Sequence, residues 1–485
     1  MEALGKRKRG DDAGGGDAGC SSGGGDRLSA LPDHLLHEVM SRMKARQMVQ
    51  TCALSRRWRH LWPKVPCLDI DQRELKAGHE KFDDFVYFLL RKVSVARLDA
   101  FRLHANEGGY DPGLVATSNA SAWIRRAIMA SAQAPPARDQ GLTSPGSWRL
   151  RRLHLSGLRL DGLFAEHVRS RCPYLEDLEL RVCKCRFRAI ASGSLESLAL
   201  IGCAAGAGVG EEFSEISSPA LKSLVVDHGS NDIASPFVVT APALAHLFLV
   251  VTPYNFPGGV SLGEMPSLAR ASVHLKTRET LAKRAHLRSH LFKILRSVSN
   301  VTSLELNGFD VTVKAGEEST EFPEFSNLRT LELDQCGLGH DIHVSGHILR
   351  KSPNLEKLTF TLSKSCWQVP VGEPPSYPEL KNMRALTLRN YDPDDDFQTL
   401  GSFLQSSPVL ENLTLQCCKS SKDTRRKKGT SKMKSIDQNL MDARCENLKL
   451  TKIIYRDDDV GQLVEFLLRF SRNLPNNNIR LVKVD

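Results

Sequence analysis

Histidines and cysteines are the residues of this chain best suited to chemistry. His340, His343 and His347 stand three and four residues apart, the spacing that puts three imidazoles on one helical face. Imidazoles in that arrangement are zinc donors. Gly339 and Gly346, however, argue against a rigid helix there. Cys183-x-Cys185 and Cys417-Cys418 lack the C-x-x-C spacing of paired zinc ligands. Gly206-Ala-Gly208-Val-Gly210 follows a strand-like segment, as a dinucleotide loop would. It misses the G-x-G-x-x-G spacing, and Glu211-Glu212 and Pro219 follow it instead of a long helix, so it reads as a linking turn. The chain has no nucleophile elbow, no HExxH and no P-loop. We therefore expect no resident metal, no cofactor and no catalytic residue.

The elements around these residues form an array. The pattern L-x-x-L-x-L-x-x-C occurs four times without exception, at Leu175–Cys183, Leu195–Cys203, Leu328–Cys336 and Leu410–Cys418. Weaker copies start at Leu150, Leu221, Leu244, Leu268, Val301, Leu355 and Met383, and a partial one at Leu98. Successive starts are mostly within the 20–29 residues of a leucine-rich repeat. Each L-x-L reads as a short strand with its leucines inward. The cysteine three residues later sits where the chain leaves the strand and can bond backbone groups inside. Turn words such as Ser-Pro-Ala-Leu at 218–221 and Ser-Pro-Asn-Leu at 352–355 precede strands, because proline ends the preceding segment. One repeat cannot cover its own open face, so such units are stable only when stacked. The longest gap holds a helix at about 278–298, apolar on one side and basic on the other. Residues 106–147 read as a loose insert containing a helix near Trp123 and Ile124. Leu448–Tyr455 and Ile479–Val484 read as strands flanking an amphipathic helix at Val460–Leu468.

The 485 residues carry a net charge of +10 and are 41% hydrophobic, a slightly low value for a globular chain. Much of the charge lies in two segments. Residues 1–26 are glycine-rich and include Lys6-Arg7-Lys8-Arg9, which suits either a nuclear import signal or a solvated leader. Residues 419–434 form a second basic block. No run of about 18 apolar residues is present to span a membrane. The first residues lack the apolar core of a secretory leader. We expect a nuclear or cytoplasmic chain with reduced thiols.

Residues 28–62 contain three short helices. Leu35, Leu36, Val39, Met40 and Met43 trace one helical face after Leu31-Pro32, with Pro32 suited to the first helical position. A second helix fits Ala45–Leu54. Ser55 can cap a third, which carries Trp58, Leu61 and Trp62 on one side. Thirty-five residues cannot enclose a core, so these apolar faces must meet a partner or the rest of the chain.

Leu31-Pro-Asp-His-Leu-Leu36, Cys52–Trp62 and Val65–Asp71 together resemble the F-box of plant F-box/leucine-rich-repeat proteins. Departures from the pattern are Lys44, where a proline is usual, and Val39 and Met43, where Ile and Leu are commoner. The C-terminal strand–helix–strand resembles the FBD segment of the same proteins. The resemblance implies an α/β chain: an N-terminal three-helix F-box, a leucine-rich-repeat solenoid shaped as a horseshoe, and a C-terminal cap. The expected boundaries are a leader at 1–26, the F-box at 27–71, a first-repeat region with the insert at 72–147, the solenoid at 148–418, a basic loop at 419–440 and the cap at 441–485. The implied function is that of a non-catalytic substrate receptor in an SCF-type ubiquitin ligase. Its partners are then a Skp-type adaptor, through it a cullin–RING ligase, and a target protein. Adaptor docking falls to Leu31, Pro32, Leu35, Leu36, Val39, Met40, Leu54, Trp58, Leu61 and Trp62. Among the middle residues of the L-x-L strands, Glu179, Val225, Phe248, Glu305 and Glu332 are candidates for the target. The alternative is a non-ligase leucine-rich-repeat scaffold that binds nucleic acid or an acidic partner through its basic segments. Against nucleic acid, aromatics are only 6% of the chain and are not interleaved with those basics.

Overall fold

A computed structural model describes residues 30–75, 79–93, 98–105, 123–125, 150–205, 212–231, 234–252, 255–276, 284–309, 322–336, 344–362, 377–391, 397–417, 447–455 and 477–484. The leader, most of the 106–147 insert, the basic block at 419–434, Cys418, Gly206–Gly210, His340, His343 and the expected helix at 460–468 lie outside them.

Fifteen strands form one sheet in which every neighbouring pair is parallel and the order follows the chain. The L-x-L words build it. The strand Asp177–Arg181 buries Leu178 and Leu180 completely, and the strand Thr330–Asp334 does the same with Leu331 and Leu333. Across the pairings apolar residue lies beside apolar residue, often leucine beside leucine, as in Leu153 beside Leu178 beside Leu198. One edge-on layer of branched side chains therefore fills the interior from repeat to repeat. The cysteines close each turn from inside: Cys183 Sγ donates to Leu155 O at 3.6 Å, Cys203 Sγ to Leu180 O at 3.2 Å and Cys336 Sγ to Leu306 O at 3.6 Å. The neighbouring Cys203 sulfur and burial push the Cys183 and Cys185 thiols well up, and burial pushes Cys172 up to about 12. Raised and enclosed, Cys172, Cys183 and Cys185 are inert packing groups, whereas hydrogen bonds from Cys183 and Cys185 lower Cys203.

The first strand, β1 (Cys67–Asp71), comes from residues that the sequence assigns to the tail of the F-box. It pairs with β2 (Ala100–His104), which pairs with β3 (Arg152–Ser156). Alternation of inward Leu68 and Ile70 with polar Asp69 and Asp71 is the signature of a half-buried strand. The last two strands, Leu450–Tyr455 and Asn478–Lys483, are parallel as well.

The crossovers between strands differ along the chain. From 159 to 262 they are mostly short strands, which form a three-stranded and a four-stranded sheet behind the main one, with one helix at Gly162–Arg171. Sequence patterning does not reveal these two- to four-residue segments. Behind the leucine layer runs a file of phenylalanines, Phe164, Phe187, Phe213, Phe237 and Phe256, with successive ring centroids 5.9, 5.2, 5.3 and 5.6 Å apart. Beyond it the described crossovers are helical, at Arg284–Ser297, Val344–Arg350 and Phe397–Gln405.

The residue just past each strand tends to be left-handed. Gly157, Gly202 and Gly308 take φ of 69°, 64° and 76°, whereas Val182 holds φ 50° at the equivalent position. A β-branched side chain there costs about 1–2 kcal/mol, and Val182 is 56% exposed, so little packing offsets it. Val182→Gly is expected to stabilise the protein by roughly 1 kcal/mol, read as a higher urea midpoint at unchanged slope.

Candidate functional site

The three N-terminal helices are α1 (Asp33–Ser41), α2 (Ala45–Gln50) and α3 (Arg56–Leu61). Pro32 is the cap rather than the first helical residue: its ψ of 154° is extended, and its carbonyl accepts from the Leu35 and Leu36 amides. The second helix ends at Gln50 and continues as a 3-10 turn over Thr51–Ala53. Ser55 caps α3 by accepting the Trp58 amide at 3.4 Å.

The ten adaptor-docking candidates divide into three groups. Leu36, Met40, Trp58, Leu61 and Trp62 are buried inside this chain, packed with Val65, Leu68 and Ile70 of the first strand segment. Leu31 and Val39 are half-buried. Pro32, Leu35 and Leu54 remain exposed, Leu35 at 41% and Leu54 at 64%. The apolar stripe on α1 was read as one surface, but β1 covers its inner part. The two indoles are therefore buried within this chain, at 4% and 5% exposure.

Polar contacts fix the unit. Arg57 of α3 reaches back to donate to Leu31 O at 2.6 Å and to Asp33. The Arg57 guanidinium holds the Asp33 carboxyl below the usual carboxylate range. His37 bonds Leu61 O at 3.2 Å. Lys44, the departure from proline, caps α2 and puts its Nζ 2.8 Å from Asp69 Oδ1 and 3.6 Å from Asp71 Oδ2 on β1. Arg73 grips Asp71 bidentately at 3.0 and 2.8 Å. These bonds tie the α1–α2 turn to the polar face of the first strand.

Asp71 is 6% exposed, and the Arg73 bonds lower its pKa from the usual 3.8 to about 2. Its folded-state value is the lower one, so its contribution is complete above about pH 4 and is lost as pH falls toward 2. With the exposed guanidinium screened by water, that contribution is about 1–2 kcal/mol. Asp71→Asn is expected to remove this part of the acid dependence, measured as Tm at pH 2.5 against pH 5.

The second surface is the open face of the main sheet. Register places Glu179, Ala199, Val225, Phe248, Ser272, Glu305 and Glu332 side by side on seven adjacent strands. The five candidates for target binding thus share one row, about 29 Å long at the usual strand spacing. They are not chemically alike. Glu179 is held by Arg181, and Glu332 by Arg389 two strands on. Phe248 meets His274 edge to face at 5.0 Å. Ser272 Oγ donates to Glu305 Oε2 at 2.8 Å, and His274 Nε2 lies 3.0 Å from Ser272 Oγ and 3.3 Å from Glu305 Oε1. Serine and glutamate both address the same ring nitrogen. A nucleophilic triad needs one partner on each nitrogen, so this cluster organises a surface and activates no hydroxyl. His347 is buried and leans on Phe322 at 5.5 Å. Among the described residues no group of three His, Cys, Asp or Glu side chains is arranged to hold a metal ion. No described helix is long and apolar enough to cross a membrane.

Comparison with known proteins agrees with the trihelical unit and the repeats. Residues 28–69 match the F-box domain model. The chain is 32% identical over 372 residues to the MEIOTIC F-BOX protein MOF of Oryza sativa subsp. japonica, covering 69% of this chain and 70% of that one. The chain belongs to the plant F-box/LRR-repeat family. This F-box/LRR-repeat protein is also 27% identical over 359 residues to an F-box/LRR-repeat protein of Arabidopsis thaliana, covering 70% of this chain and 73% of the other. It is 26% identical over 432 residues to an F-box/FBD/LRR-repeat protein of the same plant, covering 81% and 90%.

Proposed function

We propose that this protein is the substrate receptor of an SCF-type ubiquitin ligase, with its F-box on a Skp-type adaptor and its open sheet face on a target protein. The observation that carries the reading is the pair of exposed leucines, Leu35 and Leu54, on an F-box unit whose Leu36, Met40, Trp58, Leu61 and Trp62 are buried. Exposed leucines rimmed by polar residues mark a docking patch. The adaptor contact accordingly narrows to Pro32, Leu35, Leu54 and the accessible parts of Leu31 and Val39.

In this reading the parallel array is a leucine-rich-repeat solenoid, and the two C-terminal strands belong to its FBD-like cap. The row from Glu179 to Glu332 offers a target an apolar centre at Val225 and Phe248 with acidic flanks. The receptor makes and breaks no bond. It raises the effective concentration of a target lysine near a charged conjugating enzyme. We assign the activity to the nucleus or cytoplasm.

Co-expression of the full chain with a recombinant Skp-type adaptor and cullin tests the reading. A stoichiometric complex that survives gel filtration is expected. A full-length, folded chain that elutes free of adaptor would sink it.

A further inference from the structure

The helix α4 (His79–Lys92) crosses from β1 to β2 and buries one side completely, through Phe82, Val86, Leu89 and Leu90. Its opposite side carries Asp84, Tyr87, Phe88 and Arg91, all exposed. Their offsets of three, four and seven residues put them on one face. Tyr87 is 58% and Phe88 46% exposed. Among the described residues none of these four side chains has an ion-pair or ring partner. Water-facing helix surfaces rarely carry two adjacent aromatic rings. The other large exposed apolar residues beyond the F-box, Leu163, Tyr174, Val182, Leu481 and Val484, include no second pair of adjacent residues and no second pair of rings, and single exposed residues of this kind need no partner.

The charge pattern of this face identifies what covers it. The acid lies one turn before the aromatic pair and the base one turn after it. If two such helices cross antiparallel about a two-fold axis between positions 87 and 88, Asp84 of each meets Arg91 of the other. The four rings then meet at the centre. A two-fold contact must be complementary to itself, and this face is. We propose that a second copy of this chain docks here, α4 against α4, to form a symmetric homodimer. The inference is independent of the ligase reading, because it uses none of the adaptor-facing residues.

A 14-residue helix is about 21 Å long. So short a contact sits at the small end of specific interfaces, and the expected dissociation constant is on the order of micromolar. Sedimentation velocity of the full chain over roughly 1–100 μM is expected to show a monomer–dimer equilibrium across that range. Asp84→Arg and Arg91→Asp each place like charges across the axis and are expected to weaken dimerisation at least roughly tenfold. An equimolar mixture of the two variants re-creates opposite charges at both contacts and is expected to restore dimers. Tyr87→Ser with Phe88→Ser is expected to give monomer throughout, with far-ultraviolet circular dichroism reporting whether the fold survives. The charge variants decide the matter if it does not. A wild-type chain that stays monomeric at the highest concentration overturns the proposal. So does association that every variant retains, or a mixture that fails to recover dimers. Adaptor binding, measured on the same variants, is expected to be unchanged and reports separately on the ligase reading.

Discussion

Leu54→Asp is expected to lower affinity for a Skp-type adaptor by at least about 100-fold while leaving the fold intact. The side chain is 64% exposed and follows the 3-10 turn after α2, where it packs against little of its own chain. Apolar anchors at the centre of an interface are commonly worth about 2–4 kcal/mol, and a carboxylate there adds the cost of desolvating an unpaired charge. Substitution at so exposed a site shifts stability by only about 0.5 kcal/mol. Leu35→Asp on α1 is expected to act in the same direction. The contrast is Trp58→Ala: the indole is 4% exposed and belongs to the buried core. Its loss opens a cavity costing about 3–5 kcal/mol. That variant is expected to lose adaptor only because the trihelical unit loosens. Binding measured beside thermal melts separates the two cases. If Leu54→Asp binds adaptor like the wild type, the exposed patch is not the docking surface.

Phe213→Ala is expected to be the most damaging single change in the N-terminal half of the array. Phe213 is 4% exposed and touches Phe187 on one side and Phe237 on the other, at 5.2 and 5.3 Å with near-perpendicular planes. The cavity term is about 3–5 kcal/mol, and each edge-to-face contact adds roughly 0.5–1.5 kcal/mol. The damage is also positional. Repeats communicate through nearest neighbours, so a weak layer in the middle uncouples the halves. Hydrogen exchange is expected to show amides of the strands Ser197–Ile201 and Ser223–Asp227 losing protection, while the strand Thr330–Asp334 keeps its own. Uniform loss across all three strands would contradict a layered array.

The elements legible in the sequence were those with a repeated physical cause. L-x-L reads as a strand because one face of a parallel sheet is always buried, and the cysteine after it reads as structural because a turn leaves carbonyls to satisfy. Three features were not legible. Val65–Asp71 resembles the end of an F-box, and only its alternation of inward Leu68 and Ile70 with polar Asp69 and Asp71 marks it as the first strand. The back strands are too short to carry a period, although phenylalanines at 164, 187, 213, 237 and 256 repeat at nearly the repeat length and signal the spine. The docking surface was only half legible, because an apolar helical stripe shows which side avoids water but not what covers it. Trp58 and Trp62 look like anchors for a partner, yet both are buried within the chain, whereas Leu54 is exposed.

The change of crossover along the chain has a geometric consequence. Front strands lie about 4.8 Å apart. Where the back layer is also made of strands, from 189 to 262, both faces advance by the same step and the stack is a slab. Where helices take over, as at Arg284–Ser297 and Val344–Arg350, the back needs about 8–10 Å per unit, and each unit becomes a wedge. We expect the sheet to curve more beyond 284 than before 262, so that a flat stretch suited to an extended surface gives way to one that suits a rounded one.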